Sequence, residues 1–152
     1  MNRPNPEYIH RLKETVRTSH YPSHMHMTLD HIEMDKADIG MALHQCHLQP
    51  YNIVHGGVLA TLIDTATFWA AFLRLPQDTG LVNVDLKLNY LSPVVSGQLT
   101  AQGICIKPGR TISYAQAQVV DEKGKIITHG TSTLMALPGK ELDLGVDKFL
   151  KD

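Results

Sequence analysis

The spacing of hydrophobic and polar positions divides this chain into one long apolar segment and several alternating ones. Residues 58–72 are almost all apolar, and Asp64 is the single charged residue among them. An amphipathic surface helix has a polar face that recurs every three or four positions, and this segment lacks one. It therefore predicts a helix that is covered on most sides by other parts of the protein.

Strict alternation, which is typical of a strand with one buried face, is clearest at residues 81–91. The predicted apolar face carries Val82, Val84, Leu86, Leu88 and Tyr90, and the predicted polar face carries Asn83, Asp85, Lys87 and Asn89. The other predicted strands are 24–35, with a bend near Asp30 and His31, then 39–46, 98–107, 110–121 and 126–136.

One long helix with several antiparallel strands is an α+β pattern, in which the sheet wraps one side of the buried helix. A short N-terminal helix is predicted at residues 6–18, where Asn5 can cap it and Pro6 suits its first position. Residues from about 138 onward are polar, and we expect them to be loosely held. With 152 residues and 43% hydrophobic content the chain can bury one sizeable core, so a single domain over 1–152 is expected.

Composition mainly excludes functions. A formal net charge of −1 gives no electrostatic argument for nucleic acid or an anionic membrane as partner. No segment is expected to span a membrane, because Asp64 interrupts the longest apolar run. The N-terminus lacks the continuous apolar stretch of a secretory signal. Cys46 and Cys105 have no metal or redox spacing, which favours a reducing compartment, and the cytoplasm is expected.

Asp64 is the first candidate for chemistry. An ionised carboxylate among apolar residues is costly unless a partner offsets the cost, and buried acids with shifted pKa values are common in active sites. The alternative is a solvated residue on a narrow polar stripe with Thr61, Thr65 and Thr67.

The turn His55-Gly56-Gly57 before the helix is the second candidate. The first backbone N–H groups of a helix lack internal partners and favour negative charge, so a reacting carbonyl oxygen would be stabilised there. The simpler interpretation is a tight turn with His55 as the cap. Gly56 and Asp64 are eight residues apart, roughly 12 Å along a helix, which is too far to act on one atom. If they cooperate, the acid comes from a second copy, and a symmetric dimer is predicted.

Three segments resemble a known family: NIVHGGVLATLIDTA, VNVDLKLNYLSPV and KPGRTISYAQAQVVDEKGKIITHGTSTLM. They look like the hotdog-fold thioesterases of the phenylacetate-pathway (PaaI-like) type, and the resemblance extends from about residue 29 to residue 137. It implies the hotdog fold, hydrolysis of acyl-CoA to free acid and CoA, and a homodimer or dimer of dimers. No cofactor is implied beyond the CoA moiety of the substrate.

The resemblance also implies residue roles. Gly56 donates its N–H to the thioester carbonyl, and Asp64 of the other subunit is the general base or nucleophile. Asn83 stands where the family orients the attacking water, although an ordinary exposed residue fits that position equally well. The residues implied in substrate binding are Asn52, His55, Gly57, Gly109, Arg110 and Thr111. Gly109, Arg110 and Thr111 lie at a predicted turn and the start of the next strand, which the resemblance implies would contact the CoA arm; the alternative is that they are solvated hairpin residues.

Two positions depart from the family pattern. Gln49 replaces the usual Asn, which adds a methylene and can move the amide donor by about an ångström, a displacement that matters in catalysis. Asn52 replaces the usual Gly, and Asn tolerates the left-handed backbone conformation. Gln49 therefore leaves a competing function open, a non-catalytic acyl-CoA-binding protein, and a weaker third one is an interaction module.

Other chemistries are disfavoured. The motifs His24-x-His26 and His44-x-x-His47 have no carboxylate or cysteine to complete a metal site, so no metal is predicted. Cys105 lies within a predicted strand and has no evident base. The hydratases of the same fold need an acid five residues before the catalytic His, where this chain has Pro50.

Overall fold

A computed structural model describes residues 3–151 of the protein. The helices are α1 (Pro6–Thr18), α2 (His20–His24) and α3 (Gly56–Phe72), and a 3-10 turn spans Gln45–His47. The strands are β1 (Met27–Glu33), β2 (Lys36–Ala42), β3 (Thr79–Tyr90), β4 (Gln98–Lys107), β5 (Ile112–Val120) and β6 (Ile126–Pro138).

The six strands form one antiparallel sheet in the order β1-β2-β4-β5-β6-β3. Helix α3 packs against one face of this sheet, and Leu62, Ile63, Ala66 and Ala70 on it are completely buried. The α+β prediction, with a sheet wrapped around one long helix, is confirmed. Strand β3 ends the sheet, so only one of its two edges is paired within residues 3–151.

Two glycines let α3 lie close to the sheet. A side chain at Gly103 on β4 would put a Cβ 2.2 Å from the main-chain oxygen of Ala66, and one at Gly130 on β6 would lie 2.8 Å from the Ile63 side chain. No real Cβ approaches other atoms so closely. The absence of side chains at these positions therefore fixes how deeply the helix sits.

The alternation predicted for β3 is wrong at its centre. The pairing with β6 shifts between Asn83 and Asp85, so Val84 is the extra residue of a β-bulge. The bulge reverses the faces: Asn83 pairs with the buried Leu134 and points toward α3, on the same side as Leu86 further along. Asn83 is thus on the inner face, and not opposite the apolar residues as the alternation predicted.

The segment before α3 also differs from the prediction. A helix, α2, occupies His20–His24, and β1 begins at Met27 rather than at 24. The bend expected near residue 30 is present as a register shift between Leu29 and His31. Strand β2 ends at Ala42, and a 3-10 turn with an irregular segment, rather than a direct hairpin, leads to α3.

The C-terminal tail is not loosely held. Leu142, Leu144 and Val146 pack against the core, and Lys148 is only 1% exposed. The ammonium group of Lys148 donates hydrogen bonds to the main-chain oxygens of Phe72 (2.8 Å) and Leu75 (3.0 Å) at the C-terminal end of α3. The polar composition failed as a guide because the tail alternates polar residues with apolar ones that find the core.

Replacing Lys148 with alanine should lower the free energy of unfolding by about 2–4 kcal/mol, because two buried carbonyls lose a charged donor. Burial lowers the pKa of Lys148 to about 8, and the nearby Phe72 ring, 3.9 Å from the ammonium nitrogen, helps to hold the charge. Urea unfolding measures the loss. The matched control is Lys151→Ala in the same tail, where the side chain is exposed and forms an ion pair with Asp147. Equal stability of Lys148→Ala and Lys151→Ala would contradict a stabilising role for the hydrogen bonds of Lys148.

No helix among residues 3–151 is long and apolar enough to cross a membrane. Cys46 is exposed and Cys105 is buried, and both are free thiols.

Candidate active site

The first residue of α3 presents a backbone donor without an acceptor among the described residues. His55 is the N-cap, and its Nδ1 accepts the N–H of Gly57 at 2.8 Å. The N–H of Val58 donates to the main-chain oxygen of His55 at 2.9 Å. The N–H of Gly56 donates to no acceptor within residues 3–151. It therefore remains available for a ligand, at the positive end of the helix dipole.

The Gly56 cleft is the cavity beside this donor, with a volume of about 340 Å³. Gln49, Leu59, Tyr90 and Val94 are among its lining residues, together with Gly56. The side-chain oxygen of Gln49 accepts the N–H of Tyr51, which fixes the orientation of the amide. The amide nitrogen has no acceptor among the described residues, so Gln49 adds a second free donor to this cleft.

The Asp64 cavity lies on another part of the helix surface and has a volume of about 300 Å³. It is lined by Tyr21, Gly57, Ala60, Thr61, Asp64, Thr65 and Leu86. Asp64 is half-buried, and burial raises its pKa above the ordinary value. Its carboxylate forms no hydrogen bond and no ion pair in the part of the chain that the structure describes.

The threonines around Asp64 do not compensate its charge. The hydroxyl of Thr65 donates to the main-chain oxygen of Thr61 at 2.7 Å, and that of Thr67 donates to Ile63 at 2.9 Å. These hydroxyls satisfy carbonyls of the helix itself. Asp64 is therefore an uncompensated, half-buried acid that faces a cavity, which argues against the polar-stripe interpretation.

Within one chain the two candidates do not meet. Gly56 lines one cavity and Asp64 lines the other, in keeping with the eight residues of helix between them. A complete site that uses both groups needs a second copy of the chain. That assembly stays a prediction.

Asn83 lies behind Asp64 rather than in the cavity. Its side-chain nitrogen donates to Ser132 Oγ at 2.8 Å and lies 3.3 Å from the main-chain oxygen of Asp64. Asn83 thus ties β3 and β6 to the helix turn that carries the acid. Its predicted role in orienting water stays a prediction, and the contacts describe a residue that positions this turn.

The predicted substrate-binding residues are dispersed. Asn52 has a positive φ of 59°, as its replacement of glycine predicted, but it is exposed and lines neither cavity. His55 serves as the helix cap, and Gly57 lines the Asp64 cavity. Gly109, Arg110 and Thr111 form the turn between β4 and β5, outside the linings of both cavities.

Two tyrosines that the sequence did not single out lie at these cavities. The hydroxyl of Tyr90 is 3.3 Å from the main-chain oxygen of Gly56, and that of Tyr21 is 2.7 Å from Thr61 Oγ1. Tyr90 was placed on a strand face without a role. Tyr21 lies in a helix that no periodicity indicated, so its position could not be predicted.

The remaining candidates for a nucleophile and for metal ligands are Cys105 and the two histidine motifs. Burial raises the pKa of Cys105 to about 11, which keeps the thiol protonated and unreactive. No group of three or more His, Cys, Asp or Glu side chains within residues 3–151 is arranged to hold a metal ion. The two histidine motifs nevertheless meet, since the rings of His26 and His44 stack with centroids 4.1 Å apart and His47 packs edge-on against both.

The buried His47 should make stability depend on pH. Its Nδ1 accepts the N–H of His44 and its Nε2 lies 3.1 Å from the Met25 oxygen, so the ring is neutral with its proton on Nε2. Burial lowers its pKa, and the neighbouring His24, His26 and His44 lower it further. The unfolded chain therefore binds a proton first as the pH falls below the ordinary histidine value of about 6.5.

We expect the free energy of unfolding to decrease from about pH 7 to about pH 5, and to decrease less steeply in His47→Gln. Urea unfolding at several pH values measures the slope. The control is His10→Gln, which changes an exposed histidine of α1. Identical slopes for the wild type and His47→Gln would contradict this assignment.

Comparison with known proteins identifies the family. The model of the thioesterase superfamily matches residues 51–128. A Haemophilus influenzae protein provisionally named as an esterase is 30% identical over 115 residues, which are 76% of this chain and 83% of that protein. Acyl-coenzyme A thioesterase 13 of Mus musculus is 28% identical over 109 residues, which are 70% of this chain and 77% of the relative.

Solved structures agree. A thioesterase from Haemophilus influenzae has a TM-score of 0.82 at 26% identity, over 93% of this chain and 99% of its own. A thioesterase family protein from Silicibacter pomeroyi has a TM-score of 0.79 at 25% identity, over 87% and 99%. The predicted resemblance is confirmed: the chain belongs to the thioesterase superfamily and is a thioester hydrolase with the hotdog fold.

Proposed function

We propose that the protein hydrolyses acyl-CoA thioesters at sites formed between two copies of the chain. The Gly56 cleft of one copy faces the Asp64 cavity of the other. The observation that carries this proposal is the pair of unsatisfied groups on α3, a free amide at its first residue and an uncompensated carboxylate two turns later. Each group has its own cavity, and neither has a partner among residues 3–151.

The chemistry follows from the two groups. The thioester carbonyl oxygen accepts the N–H of Gly56 and the amide of Gln49, which stabilise the charge that develops on it. Asp64 of the other copy takes a proton from water, and the water oxygen bonds to the carbonyl carbon. The carbon–sulfur bond then breaks, and the CoA thiolate leaves and takes up a proton. We assign Asp64 as the base because its raised pKa makes it a better proton acceptor than an exposed aspartate.

The surface for the second copy is the open edge of β3. This strand is twelve residues long, and on it Val82, Val84 and Leu86 are exposed. A long apolar edge strand is a template for pairing with another strand. Antiparallel pairing of two β3 strands continues the sheet and is self-complementary, as a two-fold axis requires. It also lies next to both cavities, because Leu86 lines one and Tyr90 lines the other.

The CoA part of the substrate needs cations for its phosphates. Lys107 and Arg110 flank the β4–β5 turn, are exposed, and form no ion pair within the described residues. A mouse relative is named an acyl-coenzyme A thioesterase, which supports the same class of substrate. We therefore place the phosphates of CoA against this turn.

The test is release of thiol from acetyl-, hexanoyl- and benzoyl-CoA, followed with a thiol reagent. The proposal expects turnover of at least one ester and none in enzyme-free controls. Stabilisation of the fold by the esters without thiol release would overturn hydrolysis and favour the acyl-CoA-binding alternative. Neither turnover nor stabilisation would overturn acyl-CoA as the substrate class.

A further inference from the structure

We propose that Tyr21 closes the Asp64 cavity on its acyl side and limits the size of the acyl group that the enzyme accepts. This inference rests on the proposed function. Tyr21 belongs to α2, outside the segment 51–128 that the family model matches. The wall that it forms is therefore supplied by a part of the chain that precedes this segment.

Contacts hold the tyrosine over the cavity. Its hydroxyl lies 2.7 Å from Thr61 Oγ1, within hydrogen-bond distance, and Thr61 is one helical turn before Asp64. Its main-chain oxygen accepts the N–H of Met25 at 2.9 Å, which closes the short helix. Tyr21 as a whole residue is 54% exposed, so these contacts hold it at the surface and not in the core. Tyr21 is one of the residues that line the cavity.

Tyr21 is the largest side chain in the lining. The helix contributes only small residues there: Gly57, Ala60, Thr61, Asp64 and Thr65. Leu86 from β3 is the one other bulky side chain. The free space beside the acid is consequently set by the tyrosine ring and the leucine.

The chemistry of the lining selects the acyl group as the occupant. When the carbonyl oxygen lies at Gly56 and the acid faces the carbonyl carbon, the two other substituents of that carbon are the sulfur and the acyl chain. The Asp64 cavity is lined by no Lys or Arg, so nothing there compensates the phosphates of CoA. The apolar ring of Tyr21 and the methyl groups of Ala60 and Leu86 suit an apolar acyl group.

The test compares kcat/KM for benzoyl-CoA and acetyl-CoA in the wild type and variants. Tyr21→Ala should raise the benzoyl-to-acetyl ratio about tenfold or more, since size discrimination in an apolar pocket is of that order. Tyr21→Phe keeps the ring and should keep the ratio, and Tyr21→Leu should fall between the two. Tyr114→Ala, which removes an exposed tyrosine from the outer face of the sheet, is the matched control and should also keep the ratio.

Melting temperatures and circular dichroism establish that the variants fold. An unchanged ratio in folded Tyr21→Ala, with the wild type active, overturns this inference alone. A wild type that hydrolyses none of the three esters overturns the proposed function, and the inference with it.

Discussion

Asp64→Asn should abolish thioester hydrolysis, with a loss of kcat of about a hundredfold or more, because asparagine cannot accept the proton of water. The variant keeps the size of the side chain, so the cavity and the fold should be retained. Initial rates of thiol release from the best ester measure the effect. The control is Asp38→Asn, which alters a half-buried aspartate on β2, where it pairs with Gln102 of β4. Full activity of Asp64→Asn would refute its catalytic role.

The same variant tests the environment of the acid. Because burial raises the pKa of Asp64, the folded protein binds this proton more tightly than the unfolded chain does. Ionised Asp64 therefore lowers stability at neutral pH, and the cost disappears at pH values below the ordinary aspartate pKa of about 3.9. We expect Asp64→Asn to melt at or above the wild-type temperature at neutral pH. A lower melting temperature would show a stabilising partner for the carboxylate.

Val84→Arg should convert the proposed dimer into monomers and remove at least about 99% of the activity, because each site then lacks either its acid or its amide donor. The arginine would stand on the β3 edge at which the proposal pairs two copies, and a desolvated charge there opposes the pairing. Light scattering should change from twice the chain mass to 16.9 kDa. The matched control is Ile106→Arg on β4, since Ile106 is 51% exposed and Val84 is 52% exposed.

Two outcomes would contradict the shared site. A monomeric Val84→Arg that retains wild-type turnover would show that one chain suffices. A wild type that is itself monomeric at the concentrations of the assay, yet active, would lead to the same conclusion.

Much of the architecture could be predicted because its signals are local. The run of apolar residues around Asp64 identifies α3 without reference to any other segment, and the strand 98–107 was predicted with the bounds of β4. The bulge at Val84 could not be predicted, since an extra residue in one strand shows only against its partner β6. The buried Lys148 is similar, because its acceptors, at the end of α3 and just after it, are more than seventy residues away in sequence.

The candidate site divides in the same way. The Gly56 and Asp64 pair follows from residue types and helical spacing, and the left-handed conformation of Asn52 follows from its position in the turn. Tyr21 lies in a five-residue helix with no periodic pattern, and it contacts Thr61, one helical turn before the acid, from forty residues away. The sequence pattern of either segment alone does not indicate a contact between two distant segments.

The close seating of α3 on Gly103 and Gly130 has a consequence for how such an enzyme can change. The helix lies so close to β4 and β6 at these two positions that even a Cβ would not fit between them. The distance along α3 between the Gly56 amide and the Asp64 carboxylate is therefore fixed, and it is the same in every copy of the chain. New substrates must then be accommodated by changes in the other residues that line the two cavities, or by a change in how the α3 helices of two copies lie relative to each other.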